Sequence, residues 1–381
     1  MRSQFLGFCR KLLIVIFGVA LPTLAIAQSK EAEQAQSLEQ QGKRTEAEQA
    51  WRDVVKANPR DAAALASLGV VLSKEEKYRE ASTVYRKALT INPNLPGVQL
   101  NLGLAEFKQG DFLSAIAPLQ AALKADPSST QARSLLGISY YGAKQFAEAV
   151  KYLEPLAIAD PGNTELHQML AQSCLSAKQY DCALREFQQI LQKDPASAAA
   201  HILTGEALDG LGKTPEAIAE FRAAAQVSPH EPNVYFALGY LYWKSNQYDQ
   251  AEVEFRNQLS VDPANALSMA YLGDIEMKRN NPEKAVSYLR QAVQAKKDIR
   301  IAYLDLGAIL TEQKQYKDAL AALQRAIELD PAQPDAHYRL GRVYQSMGES
   351  AAAQREFKRV QDLHQKADED LASKMAAAAS N

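Results

Sequence analysis

The chain is poor in several features that usually announce a function. Only three of its 381 residues are cysteines, Cys9, Cys174 and Cys182. None forms a Cys-x-x-Cys pair, which argues against a redox-catalytic site. Neither sign of charge prevails. A formal net charge of −2 lacks the basic excess that a nucleic-acid partner requires. Beyond the N-terminus no stretch approaches the roughly 18 consecutive apolar residues of a membrane span. No Ser-His-Asp set, paired carboxylates or HExxH motif stands out, so no catalytic residue is assigned and an enzyme is not expected.

The one apolar run lies at the start. Arg2, Arg10 and Lys11 precede the apolar core "LLIVIFGVAL" (12–21), and Ala25-Ile26-Ala27 gives the small-x-small pattern of a signal-peptidase site. Residues 1–27 are therefore expected to be a signal peptide cleaved before Gln28, with a periplasmic or secreted product. An uncleaved membrane anchor is the alternative reading. Cys9 precedes the apolar core instead of closing it, so it does not resemble a lipobox cysteine. Removal of 1–27 takes away three cations and no acids, leaving a mildly acidic chain without a membrane span and with Cys174 and Cys182 as its cysteines.

What the chain does have is a period. Prolines fall at 59, 93, 127, 161, 195, 229 and 263, each 34 residues after the last, and again at 331; Lys297 fills the missing step. Twelve residues before each of these positions stands an alanine, from Ala47 to Ala319, and Ala353 continues the series. Twelve residues earlier again is Gly or Ala, as at Gly69, Gly103, Gly239 and Gly341. Four residues after each alanine is a large apolar side chain, such as Trp51, Tyr85, Phe187 or Phe255. Apolar residues recur at three and four within each unit, the spacing of amphipathic helices. Asp-Pro or Asn-Pro then stops most of the second helices, with Ser228-Pro229 in repeat 6. Each unit is thus a two-helix hairpin. The small Gly/Ala pair is expected where the helices cross, and stacking buries the core that one hairpin cannot bury alone.

A 34-residue hairpin with this pattern resembles the tetratricopeptide repeat, and "AALASLGVVLSKEEKYREASTVYRKALTINPN" (63–94) is close to a consensus copy. The resemblance implies an all-α protein: a right-handed α-solenoid, or superhelix, of tandem helix-turn-helix hairpins. Ten repeats run from 28 to 367. Repeat 1 (28–61) is polar and capping, repeats 2–7 span 62–265, and repeat 8 (266–299) is expected to be irregular, with Lys297 for proline and Pro282 early in its second helix. Repeats 9–10 span 300–367, and 368–381 is expected to be a helix extension and a disordered tail. Pro118 and Pro155 fall inside second helices and are expected to kink them.

Other motifs read as parts of this scaffold. "DGLGKT" (209–214) has Ala207 where a phosphate loop needs glycine, and Gly212 falls in the interhelical turn with Gly42, Gly110 and Gly348. His167, His201 and His337 share the fourth position of their repeats. Equivalent atoms in stacked hairpins lie too far apart for one zinc ion, so inter-repeat packing is expected and no metal. Cys174 and Cys182 face each other across the hairpin of repeat 5. A disulfide and two buried thiols both remain open.

Function is expected on the first helices, which in this family line the concave surface. The resemblance puts the second, fifth, sixth, ninth, twelfth and thirteenth positions toward the groove. In repeat 7 these include Asn233, Phe236, Tyr240, Trp243 and Lys244. Tyr141, Ile202, Asp209 and Met277 come from repeats 4, 6 and 8. Phe236, Tyr240 and Trp243 step by four and three along one face, a composition suited to anchoring a partner. Packing against the next repeat is the competing account. The sixth positions carry neither an asparagine ladder nor a carboxylate clamp, which points to an apolar or mixed peptide. The expected function is an exported, non-catalytic scaffold that binds partner proteins or peptides, without cofactor. The alternative is a structural part of a cell-envelope machine such as polysaccharide export or pilus assembly.

Overall fold

The computed structural model describes residues 30–379. The expected signal peptide, residues 1–27, lies outside the described residues. Twenty helices follow one another, and no strand occurs among the described residues. They pair as the period requires. Repeat 2 is the hairpin Ala62–Lys74 and Tyr78–Ile91; repeat 7 is Val234–Lys244 and Tyr248–Val261. Its neighbours in the chain are Ala266–Lys278 and Pro282–Ala295 in repeat 8, then Arg300–Glu312 and Tyr316–Leu329 in repeat 9.

Local chemistry sets the boundaries. Asp61, Ser129, Asn163 and Asn265 cap first helices by accepting hydrogen bonds from backbone N–H groups of the first turn. The residue before each periodic proline leaves the helical region, as at Asp126 (φ −132°, ψ 91°), because proline crowds it out. Lys296, before Lys297, is extended too, at φ −148° and ψ 121°. Repeat 8 keeps helices of 13 and 14 residues, the same lengths as in repeat 9. Pro282 occupies the first helical turn, where a missing N–H leaves no hydrogen bond unmade. Pro118 and Pro155 lie inside Phe112–Ala125 and Phe146–Ala159, which run unbroken through them.

The glycine of the period packs against the second helix of its own hairpin. A Cβ on Gly239 would stand 2.7 Å from the ring of Phe255, and the same holds for Gly69 against Tyr85 at 2.4 Å. The glycine makes room for the large side chain sixteen residues on, while the periodic alanine is sealed beside it with no exposure. Tyr85 and Phe255 are almost fully buried in these slots, and Trp51 and Phe187, sixteen residues after Ala35 and Ala171, are buried as deeply. Each such burial contributes about 2–3 kcal/mol by area.

By internal packing the hairpins form two units. One holds the described residues up to Pro195 together with Glu206–Gly212; the other holds Ala196–Gly205 together with the chain from Lys213. In the first, a core runs through repeats 1–3 around Trp51 and Tyr85. In the second, a core runs through repeats 8–10 around Leu289, Leu306 and Leu323. There the first helices of repeats 8 and 9 also lie against each other, forming one continuous face. The last helix, Ser350–Ala379, is continuous for 30 residues. The tail expected to fray is helical as far as Ala379, in keeping with the high helix propensity of its alanines.

Candidate functional site

Repeat 7 opens with Pro232-Asn233, a pair suited to a type II turn. Asn233 takes the left-handed conformation that turn demands, with φ 65° and ψ 3°. Its side chain makes no capping bond and is exposed, so it enters as a turn residue, not as part of the aromatic row. From there the helix splits its aromatic content between two faces. Val234, Leu238, Leu241 and Tyr242 are buried, whereas Phe236, Tyr240 and Trp243 are half-buried.

The three half-buried rings do not stand alone. Tyr271, from the first helix of repeat 8, meets Phe236 at 5.9 Å, Tyr240 at 5.7 Å and Trp243 at 4.9 Å between ring centroids. Phe236 also meets Phe255 beneath it at 5.8 Å. These offset and edge contacts fix the ring orientations. Inter-repeat packing thus accounts for one side of the row. Burial, with the charges of Tyr240, Asp274 and Asp305 adding, pushes the Tyr271 hydroxyl up to about 12 and keeps it a donor.

Charged groups continue the row. The indole N–H of Trp243 donates to Asp274 Oδ2 at 2.5 Å, and Lys278 Nζ lies 6.0 Å above the indole ring. Asp305, one repeat further on, faces Arg339 of repeat 10 at 3.9 Å. Burial pushes Asp305 up to about 7; Asp274 adds to this, and Arg339 and Lys278 oppose it. Together Trp243, Tyr271, Asp274, Asp305, Arg300 and Arg339 line much of a cavity of about 560 Å³. Pockets of that size accommodate small ligands or single side chains. Arg300 is held by the Asp335 carboxylate at the cavity edge.

The other expected site residues are divided between the two units. Lys244 is exposed at the end of its helix, and Met277 packs against the core of the second unit. Ile202 lies half-buried in the second unit, on the helix Ala198–Gly210. Tyr141 and Asp209 belong to the first unit, where Tyr141 packs edge-on to Phe146 at 6.0 Å. Cys174 and Cys182 are joined by a disulfide, with Cα atoms 5.8 Å apart.

The Nδ1 contacts of the three histidines lie within their own repeats. His167, His201 and His337 each place Nδ1 at 2.5–2.7 Å from a carboxylate of the second helix of the same hairpin, Glu186, Glu220 and Glu356. The nineteen-residue interval brings the two positions level across the hairpin. Among the described residues no group of three or more His, Cys, Asp or Glu is placed to hold a metal ion. Gly212, with φ +74°, is a turn residue.

Tyr271, Asp274, Asp305 and Arg339 were not among the expected site residues, although a signal for them exists. Tyr271, Asp305 and Arg339 are successive sixth positions, and Asp274 is a ninth position. Their meaning lies in adjacency across repeats. Inspecting sixth positions for asparagine alone passes over a Tyr–Asp–Arg series.

Tandem helical hairpins with side chains gathered on neighbouring first helices define the class, a helical-repeat protein. Models described as tetratricopeptide repeat match residues 33–96, 169–232 and 236–298, residues 72–137, 106–173 and 210–257, and residues 334–366. A model described as TPR repeat matches 307–348. The chain belongs to the tetratricopeptide-repeat family. No curated protein gives a significant match. Among solved structures, the APC/C hetero-tetramer Cut9-Hcn1 is similar with a TM-score of 0.50, at 14% identity over 87% of this chain and 80% of that one. Yeast Tom70 gives a TM-score of 0.43 at 15% identity, covering 92% of this chain and 94% of its own. YrrB, described as a TPR protein with an unusual peptide-binding site, gives 0.38 at 22% identity, covering 50% and 97%. At these identities the likeness concerns the fold alone. No helix among the described residues is long and apolar enough to cross a membrane.

Proposed function

We infer that the chain is a scaffold that holds a partner protein or peptide against the first-helix face of repeats 7–10, as a non-catalytic adaptor in assembly. Proteins of this repeat family typically serve as non-catalytic scaffolds. The observation that carries the reading is the half-buried row Phe236–Tyr240–Trp243, joined by Tyr271 and continued by a charged cavity. Aromatic anchors beside oriented polar groups are the usual composition of an interface hot spot. Export to the periplasm or beyond is part of the same proposal. The signal-like N-terminus supports it, and a Cys174–Cys182 disulfide suits an oxidising compartment.

The test is a double substitution, Tyr240→Ala with Trp243→Ala. Partner capture in a pull-down with the tagged chain should be lost, while helicity by circular dichroism is kept. Capture that persists at the unaltered level overturns the groove assignment.

A further inference from the structure

Two of the carboxylates lining the cavity beside Trp243 and Tyr271, Asp274 and Asp305, are buried on adjacent repeats, and Asp305 is short of partners. Asp274 is 5% exposed and Asp305 only 2%. Lys278 Nζ stands 3.7 Å from Asp274, and Arg339 stands 3.9 Å from Asp305, each beyond hydrogen-bond reach. Asp274 has the Trp243 indole as a donor, but Asp305 Oδ2 has no hydrogen-bond partner. A carboxylate so buried is destabilising unless donors reach it. The remaining ions of the wall are engaged with one another, Arg300 with Asp335 and Lys296 with Asp298.

The missing groups have a definite chemistry. The carboxylates call for N–H donors carrying positive charge. The Trp243 and Tyr271 rings beside them offer π surfaces that favour a cation, and Lys278 already lies over the Trp243 ring. We propose that this cavity receives an arginine or lysine side chain of the bound peptide, with Asp305 and Asp274 accepting its N–H groups and Trp243 and Tyr271 flanking the cation. The proposal rests on the groove reading above and names the residue type that the groove grips. Arginine is the better fit, because its planar five-donor fork can serve both carboxylates and stack on a ring. An acidic side chain would meet Asp274 and Asp305 and find the two terminal Arg300 nitrogens engaged by Asp335, which leaves the buried Nε of Arg300 without a partner.

Protonation gives the proposal a second readout. Burial pushes Asp305 up to about 7. Asp274 and Asp335 act in the same direction, and Arg339 and Lys278 oppose them. An entering cation favours the ionised form, so binding near neutrality expels a proton and weakens as pH falls through about 7.

The experiment titrates the full chain with N-acetyl-arginine amide and follows the fluorescence of Trp243. The other tryptophan, Trp51, is sealed in repeat 1 and does not report. N-acetyl-citrulline amide, of similar shape without charge, and N-acetyl-glutamate amide are the controls. A saturable change with the arginine probe is expected, roughly tenfold tighter than with citrulline at a pH of about 8, and several-fold weaker at a pH of about 6. Asp305→Asn should remove the arginine preference. Equal response to citrulline, preference for glutamate, or indifference to pH overturns the proposal. Should Asp305→Asn fail to fold, the arginine–citrulline contrast on the unaltered chain still decides. If that contrast is absent while partner capture still requires Tyr240 and Trp243, only the cation pocket falls. Capture independent of both rings overturns the groove reading itself.

Discussion

Glu76, Lys144, Lys178, Asn246, Asn280 and Lys314 hold φ near +60°, and each is the fifteenth residue of its repeat. In the other four repeats that place belongs to Gly42, Gly110, Gly212 and Gly348. The backbone of the interhelical turn dictates the left-handed conformation whatever residue is present, and a side chain there costs about 1–2 kcal/mol relative to a right-handed site. Glycine offsets part of that gain through its larger unfolded-state entropy. Lys178→Gly should therefore raise stability by about 0.5–1 kcal/mol, read as a shift of the urea midpoint. Asn246→Gly should raise it less, because asparagine tolerates the conformation. A lower midpoint for Lys178→Gly contradicts this account. The glycines marked the turn in the sequence; that lysine and glutamate share its conformation was not legible, because the turn backbone imposes it on residues whose own preference is right-handed. Asn233 shows the converse. Its repeat position suggests a groove contact, while Pro232 beside it already signalled a turn.

Within an element pair, the helices Thr164–Ser176 and Tyr180–Lys193 are joined covalently by Cys174–Cys182, closing a loop with a sequence separation of 8. Both sulfurs lie in the buried interface of the hairpin, so the bridge constrains the unfolded chain without displacing apolar packing. For a loop this short the constraint is worth about 2–3 kcal/mol. In repeat arrays stability is a sum over hairpins and their neighbours, so the loss on reduction should concentrate around repeat 5. Dithiothreitol should lower the guanidinium midpoint of the unaltered chain and leave a Cys174→Ser, Cys182→Ser variant unmoved. Equal effects on both would show that the bridge contributes nothing. Chain isolated from cells under alkylating conditions should have both thiols blocked by the bridge and Gln28 as its first residue, if it is exported. The sequence placed the two cysteines opposite each other across the turn. It could not choose between thiols and a bridge, since that depends on a Cα separation of 5.8 Å that spacing alone does not supply.

Across the whole molecule, the fold was legible because one rule is written ten times, and a departure such as Lys297 is outvoted by the packing of Ala285 and Leu289 against Gly273 in the same hairpin. The candidate site was legible only in its aromatic half. Phe236, Tyr240 and Trp243 share one helix, whereas Asp274, Asp305 and Arg339 converge from three, and no single repeat shows their proximity. Their convergence carries a cost that can be measured on global stability. The pKa of Asp305 rises from 3.8 in the unfolded chain to about 7 in the folded one, chiefly through burial. Below a pH of about 4 both states hold the proton and the group is neutral to stability. Between about 4 and 7 the folded state keeps a proton that the unfolded state releases, so stability falls as pH rises; above about 7 the full penalty applies. Asp305→Asn removes the titration. The variant should be more stable than the unaltered chain at a pH of about 8, by about 1–3 kcal/mol, and the two should converge below a pH of about 4. Equal stability at the higher pH would show that Asp305 is already satisfied within the fold. If the variant gains stability and also loses its preference for the arginine probe, the same carboxylate destabilises the repeats and serves the groove, as a group retained for binding should.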